Sequence, residues 1–561
     1  MAEKRGSDDF NIRSGGKFLK KHWPWIVVVL FFILALYIRT YHMDYPVVGY
    51  HNMKEMHYLG EARNFARDGF FEHGFFIPEW DYPPMGWSPS SGAHPDSFPT
   101  VSIIVGLFFK AFGYSLAMAR LIVILFSSAL VFVMYLLMKR LFKREDIALV
   151  TAFLTAINPL FGFFGRQVQM INIALFFSML GFLYYIMWRE EQDKTHYFYL
   201  FAVFFTLGFL TKYDHFLVIF PVLITFPYKT FFAKVDLKKN LKKYLPSLLI
   251  FILSPLWLWY SRVIGKELGR AIIPVPIDPT VLSMGSAWWE PVKAYMRDNY
   301  TFTLLAFAVV GIALAIFLYR KNFGSKMMVY LVISLVPWVL VAASYLKGHS
   351  YHQYPMAPVV IMLGAFCFIV IADTLKSLSK RFGNLIKIAA IVALLLLVYF
   401  PSMEAKDRQF DTQFPGLDVA GEYVFQHKLP GERAMHSGHQ ATAFLWYADM
   451  KGIKRIPKTL DEFHQAEDTL NGTWLFVYNW DFAKLTQDPE MWNHVKENYE
   501  LRQVGFQASK DGNVQLVYLL FRIGGTFNET DVNTLLAKQP FTTQYEFTFG
   551  KVPFYYVNAD E

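Results

Sequence analysis

Cysteine is almost absent from this chain of 561 residues, which contains only Cys367. That residue lies inside an apolar run, so the sequence excludes a disulfide framework and a cysteine-based metal site. Charged residues are also scarce, at 18%, and the chain has no internal repeat or low-complexity tract. Instead, 54% of its residues are hydrophobic and 18% are aromatic, a composition too apolar for a soluble protein of this length. The chain is therefore predicted to be a membrane protein.

The basic residues indicate topology. They give a net charge of +9, but they cluster in short loops between apolar segments, so no nucleic-acid partner is expected. Segments long enough to cross a bilayer begin near residues 25, 118, 146, 171, 198, 214, 245, 301, 326, 355 and 387. With the N-terminus inside, the six inner segments hold 25 Lys and Arg in about 75 residues, as the positive-inside rule requires. Three N-x-S/T sequons, at Asn299, Asn471 and Asn528, fall on the side assigned as outer.

These patterns predict an all-α polytopic membrane bundle of about eleven transmembrane helices, followed by a soluble C-terminal α/β domain. Residues 1–24 form a cytoplasmic N-terminal segment, and residues 25–401 form the bundle, with an outer catalytic loop at 42–117. Residues 402–561 form the extracytoplasmic domain, where stretches such as "LDEFHQAED" alternate with β-like runs such as "VQLVYLLFRI". The plasma membrane and the endoplasmic reticulum both fit this topology.

Two apolar stretches differ from the other predicted spans. Residues 25–41 resemble a signal peptide, but no small-residue cleavage site follows them, so we interpret them as a retained anchor. The run "TVSIIVGLFFKAFG", residues 100–113, is too short to span a bilayer and contains Lys110. It is predicted to lie in the membrane interface.

The stretch "YHNMKEMHYLGEARNFARDG", residues 50–69, predicts an amphipathic helix with a glutamate on its apolar face. Glu55 shares that face with Tyr58 and Leu59. The opposite face carries the polar side chains His57, Glu61, Asn64, Arg67 and Asp68. A carboxylate held on an apolar face should have a raised pKa, which would make Glu55 a better base near neutral pH.

Cations and polar aromatics follow three of the predicted spans on their outer side. Arg166 ends the third span, Lys212 ends the fifth, and the segment "GHSYHQYP" follows the ninth. Taken singly, each is typical of snorkelling or of an interfacial belt. Together, at one membrane surface, they indicate a site for a phosphate-bearing lipid headgroup.

Six sequence elements carry a family resemblance. In chain order they are "EMHYLGEAR", "AHPDSFPTVSIIVGLFFKAFG", "YSLAMARL", "GRQVQ", "LTKY" and "GHSYHQYPMAPVV". Over roughly residues 25–375 the chain resembles the polytopic glycosyltransferases that use lipid-phosphate sugars. These are the protein O-mannosyltransferase and lipid A aminoarabinose transferase group, which have the C-type fold.

The resemblance implies that a sugar, expected to be a hexose such as mannose, passes with inversion from a polyprenyl- or dolichyl-phosphate donor. The acceptor would be a hydroxyl of a protein, glycan or lipid, on the outer or lumenal side. No cofactor is expected, because fixed cations can neutralise a leaving monophosphate, although a divalent metal stays open. The implied catalytic residues are Glu55 and Asp81. The residues expected to bind the donor phosphate are Arg166, Lys212, His349, Tyr351, His352 and Tyr354. Those expected to bind the acceptor or the sugar are His51, Tyr58, His94 and Asp96.

The chain departs from the family pattern at one position. Members usually begin the first loop helix with an Asp-Glu pair whose Asp is treated as the base, whereas this chain has Lys54 and Glu55. Three explanations are open. Glu55 acts as the base, or Asp81 or Glu79 acts as the base, or the acceptor differs from that of the relatives.

The main alternative to a glycosyltransferase is a transporter or flippase for a lipid-linked or anionic solute. It is disfavoured because the chain shows neither repeats nor polar midplane residues. A sensor or scaffold would leave the cluster of cations unexplained. The C-terminal domain either binds acceptor or only caps the bundle. Its "HSGHQ" motif, residues 436–440, lacks a third ligand and predicts a loop rather than a metal site.

Overall fold

The computed structural model describes residues 12–71, 74–76, 97–232, 237–267, 280–453, 455–508 and 513–560. The predictions made for Glu79, Asp81, His94 and Asp96 concern residues outside these ranges.

The part of the chain that precedes residue 411 is helical. Its helices and 3-10 helices are α1 (Ile12–Arg39), α2 (Asn52–Asp68), α3 (Thr100–Phe112), α4 (Leu116–Phe142), α5 (Glu145–Ile157), α6 (Pro159–Phe164), α7 (Met170–Glu190), α8 (Thr195–Thr211), η1 (Tyr213–Val218), α9 (Ile219–Thr225), α10 (Tyr228–Phe231), α11 (Leu237–Glu267), α12 (Thr280–Ser283), α13 (Ser286–Tyr300), α14 (Phe302–Phe317), α15 (Phe323–Gly348), η2 (Ser350–Met356), α16 (Ala357–Lys376) and α17 (Gly383–Phe410).

Among the described residues, seven helices are long and apolar enough to cross a membrane, or eight if the bent pair α13 and α14 is one span. The other predicted spans fall on shorter or broken helices. The span predicted near residue 146, for example, breaks into α5 and α6 at Asn158, whose side chain caps α6 by accepting from Phe161 N at 3.4 Å. Pro159, which lacks an N–H, begins α6. The helical bundle is confirmed, while the count of eleven stays a prediction.

The chain turns by 96° between α13 and α14, next to the first predicted sequon. Thr301 lies at this turn with φ 63°, a left-handed conformation that is rare for a β-branched residue. The Asn299 side chain is fully buried and donates from Nδ2 to Ser350 O and to Gln353 Oε1, both at 3.0 Å. Asn299 is therefore a poor acceptor for N-glycosylation, because its amide is already bonded inside the fold. Asn471 and Asn528 are exposed.

The C-terminal domain, here residues 411–560, is built on one seven-stranded sheet. The predicted boundary at 402 falls within α17, which continues to Phe410. Strand order is β2-β1-β3-β5-β4-β7-β6, with parallel pairs on β1 and antiparallel pairs elsewhere. Its elements are α18 (Leu417–His427), β1 (Arg433–His436), η3 (His439–Thr442), α19 (Ala443–Tyr447), β2 (Gly452–Ile453), α20 (Leu460–Leu470), β3 (Gly472–Tyr478), α21 (Asn479–Thr486), α22 (Pro489–Asn498), β4 (Tyr499–Ala508), β5 (Val514–Ile523), α23 (Glu529–Leu536), β6 (Phe541–Phe547) and β7 (Gly550–Asn558). The predicted α/β domain is confirmed.

Helix α2 lies between the bundle and this domain. Just ahead of it, Gly49 forms an isolated antiparallel bridge with Gln413, and Phe414 N donates to Val48 O at 2.7 Å. Farther along α2, the Arg63 guanidinium pairs with Asp449 at 2.9 Å. The C-terminal domain therefore covers the side of α2 that the bundle leaves open.

This covering changes the predicted character of α2. The sequence places His57, Glu61 and Asn64 on an exposed polar face, yet all three are buried. The prediction of a solvent-facing side is wrong for these three residues, since it counted only the bundle as a packing partner. Toward the end of the helix Arg67 is exposed, as predicted.

Candidate active site around the second helix

Glu55 is the centre of a buried ion pair on the bundle side of α2. Arg120 of α4 donates from Nε to Oε1 at 2.8 Å and from Nη2 to Oε2 at 2.9 Å, while Val168 N donates to Oε1 at 3.2 Å. Burial alone would raise the pKa of Glu55, but the Arg120 charge and these hydrogen bonds together hold it below its ordinary value. The predicted raised pKa is wrong, because the sequence did not reveal that Arg120 faces this carboxylate.

Arg166 belongs to the same network. It is buried, donates from Nη1 to the carbonyl oxygen of His42, and lies with its guanidinium carbon 4.6 Å from the centre of the Phe410 ring. Arg120 donates to the same carbonyl from Nη1 at 3.2 Å. Arg166 and Arg120 thus both hold the loop that precedes α2 in place through hydrogen bonds to His42 O.

The structure brings four of the predicted site residues into one group, which we call the histidine cluster: His51, His349, Tyr351 and His352. The His51 ring centre is 5.0 Å from that of His349 and 5.1 Å from that of Tyr351. The rings of Tyr351 and His352 are 4.3 Å apart. His51, predicted to touch acceptor or sugar, therefore joins the residues predicted to bind the donor phosphate.

His51 has unusual surroundings within this cluster. It is 2% exposed and adopts a left-handed φ of 57° at the start of α2. Neither ring nitrogen has a hydrogen-bond partner among the described residues. Burial, reinforced by His349, His352 and Lys54, lowers its pKa well below the ordinary value. A strained, buried imidazole of this kind is a common feature of ligand sites.

The predicted phosphate ligands outside the histidine cluster also include, besides Arg166, Tyr354 and Lys212. Tyr354 is buried in the bundle, where its hydroxyl donates to Asn172 Oδ1 and its ring contacts Phe161. Lys212 follows α8, next to Thr211, whose hydroxyl is 2.8 Å from that of Thr100 at the start of α3. The assignment of Tyr354 and Lys212 to the donor phosphate stays a prediction.

A cavity of about 1250 Å³ lies between α2 and the C-terminal domain. Met53, Lys54 and His57 of α2 form one wall. The opposite wall includes Trp480 and the segment 455–458, and Gly438 of the "HSGHQ" motif also lines it. The prediction that this motif is a loop is wrong for most of it, because His436 ends β1 and residues 439–440 begin η3, which leaves only 437–438 between elements.

Lys54 connects the cavity to the histidine cluster. Lys54 lines the cavity, and its charge also acts on His51. The helix rises about 1.5 Å per residue, so Lys54 lies one turn after His51 and one turn before His57. The lysine that replaces the usual acidic residue is therefore placed where it adds positive charge between the two.

The sequence prediction missed the pair formed by His57 and Glu61. His57 Nε2 is 3.2 Å from Glu61 Oε1, and Ser102 of α3 donates to Glu61 Oε2 at 2.7 Å. The i,i+4 spacing of a histidine and a glutamate on one helix face was the available signal. Tyr58, predicted to contact acceptor or sugar, is buried with its ring centre 4.9 Å from that of His57.

In the part of the chain that is described, the side chains with metal-ligand geometry are His464, Glu467 and His494 of the C-terminal domain. They do not line the cavity.

Residues 93–259 match the family model described as "Dolichyl-phosphate-mannose-protein mannosyltransferase". A search of curated proteins finds no match. The solved structure of the archaeal oligosaccharyltransferase AglB from Archaeoglobus fulgidus, in complex with an inhibitory peptide and a dolichol-phosphate, has a TM-score of 0.57 at 14% identity. The match covers 89% of this chain and 74% of that chain.

ArnT from Cupriavidus metallidurans, bound to undecaprenyl phosphate, has a TM-score of 0.53 at 12% identity and covers 88% of this chain and 97% of its own. The arabinofuranosyltransferase AftD from mycobacteria has a TM-score of 0.51 at 12% identity, over 94% of this chain and 41% of its own. The chain therefore has the fold of the C-type glycosyltransferases, and it is a multi-pass membrane protein. The fold class and the family resemblance predicted from the sequence are confirmed.

Proposed function

We propose that this protein is a membrane glycosyltransferase that moves a sugar from a polyprenyl-phosphate carrier to an acceptor hydroxyl at the outer or lumenal face. The observation that carries the proposal is the convergence of His51, His349 and His352 with Lys54 beside the cavity. The match of residues 93–259 to the mannosyltransferase family model supports the same reaction class.

The histidine cluster suits a leaving lipid phosphate. As the bond between the sugar carbon and the phosphate oxygen breaks, negative charge builds on the phosphate and must be stabilised. Lys54 carries a fixed positive charge, and the His51 imidazole has two ring nitrogens without partners in the described structure. Tyr351 supplies a hydroxyl next to them. A monophosphate held in this way is a sufficient leaving group for a single displacement, which inverts the sugar carbon.

The cavity suits the acceptor. Its volume of about 1250 Å³ exceeds that of a pocket for one small molecule. The indole ring of Trp480 gives it an apolar surface, and its charged lining has both signs, with Lys54, Arg455, Lys458 and Lys484 against Asp481, Asp488 and Glu490. We assign acceptor binding to the C-terminal domain, and we propose a peptide, glycan or lipid headgroup as acceptor and a hexose such as mannose as the transferred sugar.

The test uses the full chain, purified and placed in nanodiscs. It is given radiolabelled polyprenyl-phosphate and dolichyl-phosphate hexoses together with peptide, glycan and lipid acceptors. We expect transfer from at least one donor, with unlabelled undecaprenyl phosphate acting as a competitor. The double variant H349N/H352N should lose competitor binding, whereas H196N, which alters an exposed histidine at the start of α8, should not.

Two results would overturn the proposal. The first is unchanged undecaprenyl phosphate binding in H349N/H352N. The second is an absence of transfer from every donor, accompanied by solute flux in liposomes that contain the protein, which would favour a transporter.

A further inference from the structure

We propose that His464, Glu467 and His494 of the C-terminal domain bind a zinc ion. Helix α20 supplies the first two side chains and α22 supplies the third, so we call the group the α20–α22 site. Each side chain offers one ligand atom, and these three atoms lie within 4.8 Å of one another. The three residues do not line the cavity, so zinc binding does not depend on the proposed transfer reaction.

The local fold brings the three ligands together. His464 and Glu467 are three residues apart on α20, so they lie on the same face of that helix. His464 Nδ1 is 3.5 Å from Glu467 Oε2, and His494 Nε2 is 2.8 Å from Glu467 Oε1. Ligand atoms around a tetrahedral zinc ion are about 3.3 Å apart, because each lies about 2.0–2.1 Å from the metal. Small rotations of the side chains are therefore sufficient to enclose an ion.

Glu467 is a nearly buried carboxylate that lacks a permanent cation. Its side chain is 8% exposed. Its partners are the two imidazoles and the Tyr499 hydroxyl, which donates to Oε1. Among the described residues, no Lys or Arg pairs with it. A carboxylate withdrawn from water requires a compensating charge, and a divalent ion supplies that charge while both imidazoles stay neutral.

The donor atoms select the class of ion. Two imidazole nitrogens and one carboxylate oxygen suit zinc, with the fourth tetrahedral position left to water. Calcium and magnesium prefer oxygen ligands. The His464 side chain is 51% exposed, so an ion can reach the site from solvent. Tyr499 holds the carboxylate from β4, and an outer hydrogen bond of this kind orients a metal ligand.

Zinc takes the place of a hydrogen between His494 and Glu467. Without metal, His494 Nε2 donates to the Glu467 carboxylate. With metal, the neutral ring carries its proton on Nδ1, which lies 3.2 Å from the side-chain amide nitrogen of Asn498. A half-turn of that amide lets its oxygen accept the Nδ1–H, at the expense of the bond from Asn498 Nδ2 to His494 O. The ring nitrogen that faces away from the ion therefore has a partner in either state.

The α20–α22 site is connected to one wall of the cavity. Glu490 and Met491, in the first turn of α22, line the cavity, and His494 follows Met491 by three residues, about 4.5 Å along the helix. At the start of α20, Glu462 forms a two-point ion pair with Arg455, which also lines the cavity. A zinc ion that joins α20 to α22 therefore stiffens this wall.

The experiment uses the full chain without an affinity tag, purified in detergent and stripped of metal with a chelator. Calorimetric titration with zinc alone should find one high-affinity site in the wild type. H464N should weaken that site by more than about 10-fold, since even changes to outer hydrogen bonds of metal ligands cost about 10- to 100-fold in affinity. Cobalt should give the absorption of a tetrahedral ion in the wild type and lose it in H464N and E467Q. Because His464 is half exposed, H464N decides if E467Q does not fold.

A matched control lies in the same domain. His427 Nε2 pairs with Asp560 Oδ2 at 3.3 Å, but among the described residues this pair has no third ligand. H427N should therefore bind zinc as the wild type does. Hydrogen exchange read by mass spectrometry should show that zinc slows exchange in α20 and α22 of the wild type and H427N, but not of H464N.

The failures have distinct meanings. A wild type without a high-affinity zinc site would overturn the proposal, and so would equal zinc affinity in H464N and the wild type, which would mean that the ion binds elsewhere. Zinc binding that leaves exchange in α20 and α22 unchanged would overturn the joining of the two helices. None of these results bears on the proposed transferase activity, which only the sugar-transfer assay tests.

Discussion

Arg120 and Glu55 form a two-point ion pair that joins α4 to α2 across 65 positions of sequence. Their side chains are 1% and 3% exposed, so neither charge can be satisfied by water. The Arg120 guanidinium also donates to the carbonyl oxygens of His42, Met43 and Tyr45. The pair therefore fixes the orientation of α2, and with it the faces that point to the histidine cluster and to the cavity.

The first prediction concerns this ion pair. E55Q leaves the Arg120 charge buried without a counter-charge, and we expect the free energy of unfolding to fall by about 3–5 kcal/mol. Thermal unfolding of the purified protein in detergent measures the change. E290Q is the control, because Glu290 and Lys293 form an exposed pair that should contribute little. An equal loss of unfolding free energy in E55Q and E290Q would contradict the stabilising role of the buried pair.

The second prediction concerns the pH dependence of phosphate binding. In the free protein, burial and the neighbouring His349, His352 and Lys54 keep the pKa of His51 well below its usual range. A bound phosphate stabilises the imidazolium and raises that pKa, so the complex takes up a proton. Affinity for undecaprenyl phosphate should therefore fall by up to about tenfold per pH unit as pH rises from the free toward the bound pKa of His51.

Calorimetry in buffers of different ionisation enthalpy measures this proton uptake directly. H51N should remove the contribution of His51 from the proton count, whereas H196N should behave as wild type. An unchanged proton count in H51N would show that His51 does not face the phosphate.

The third prediction concerns the contact between α2 and α3. A Cβ added at Gly106 would lie 2.8 Å from Ala62 O and 3.3 Å from Phe65 Cβ. G106A must therefore push α3 away from α2, and we expect a loss of about 1–3 kcal/mol in the free energy of unfolding. G348A provides the control, since its Cβ would meet nothing within 4 Å. A melting temperature of G106A equal to that of G348A would contradict the close packing.

The fourth prediction concerns the tie between α2 and the C-terminal domain. Arg63 and Arg67 both approach Asp449, but the Arg63 side chain is 5% exposed and that of Arg67 is 39% exposed. R63Q should make α2 and α19 exchange amide hydrogens faster, while R67Q should change little. Hydrogen exchange read by mass spectrometry on the two variants makes the comparison. Equal protection in both would mean that Arg63 does not hold the two parts together.

The sequence predicted the bundle and the C-terminal domain because hydropathy and strand periodicity are local signals. It also predicted that His349, Tyr351 and His352 act together, since they are neighbours in the chain. It could not predict which side of α2 each polar residue faces. The partner of Glu55 lies in α4, the partners of Arg63 lie in a different domain, and no periodicity encodes contacts over such separations.

The errors at the site have the same origin. A helical wheel divides α2 into one buried and one exposed face, whereas the folded chain encloses it from both sides. Glu55 therefore serves as an anchor and the supposedly solvated His57 lines a cavity. The contacts of Arg166 with His42 O and with the Phe410 ring were likewise not predicted, because both partners are distant in the sequence.

The bridge between Gly49 and Gln413 links the loop ahead of α2 to the start of the C-terminal domain, so the two parts of the chain are not independent units. Severing the chain after α17 would remove one wall of the cavity and open His57 and Glu61 to water. A chimera that took its C-terminal domain from a relative would replace only that wall. In such a chimera, the residue at position 413 would still have to pair with Gly49. The cavity is thus formed jointly by the two parts of the chain, and neither part can be transplanted by itself.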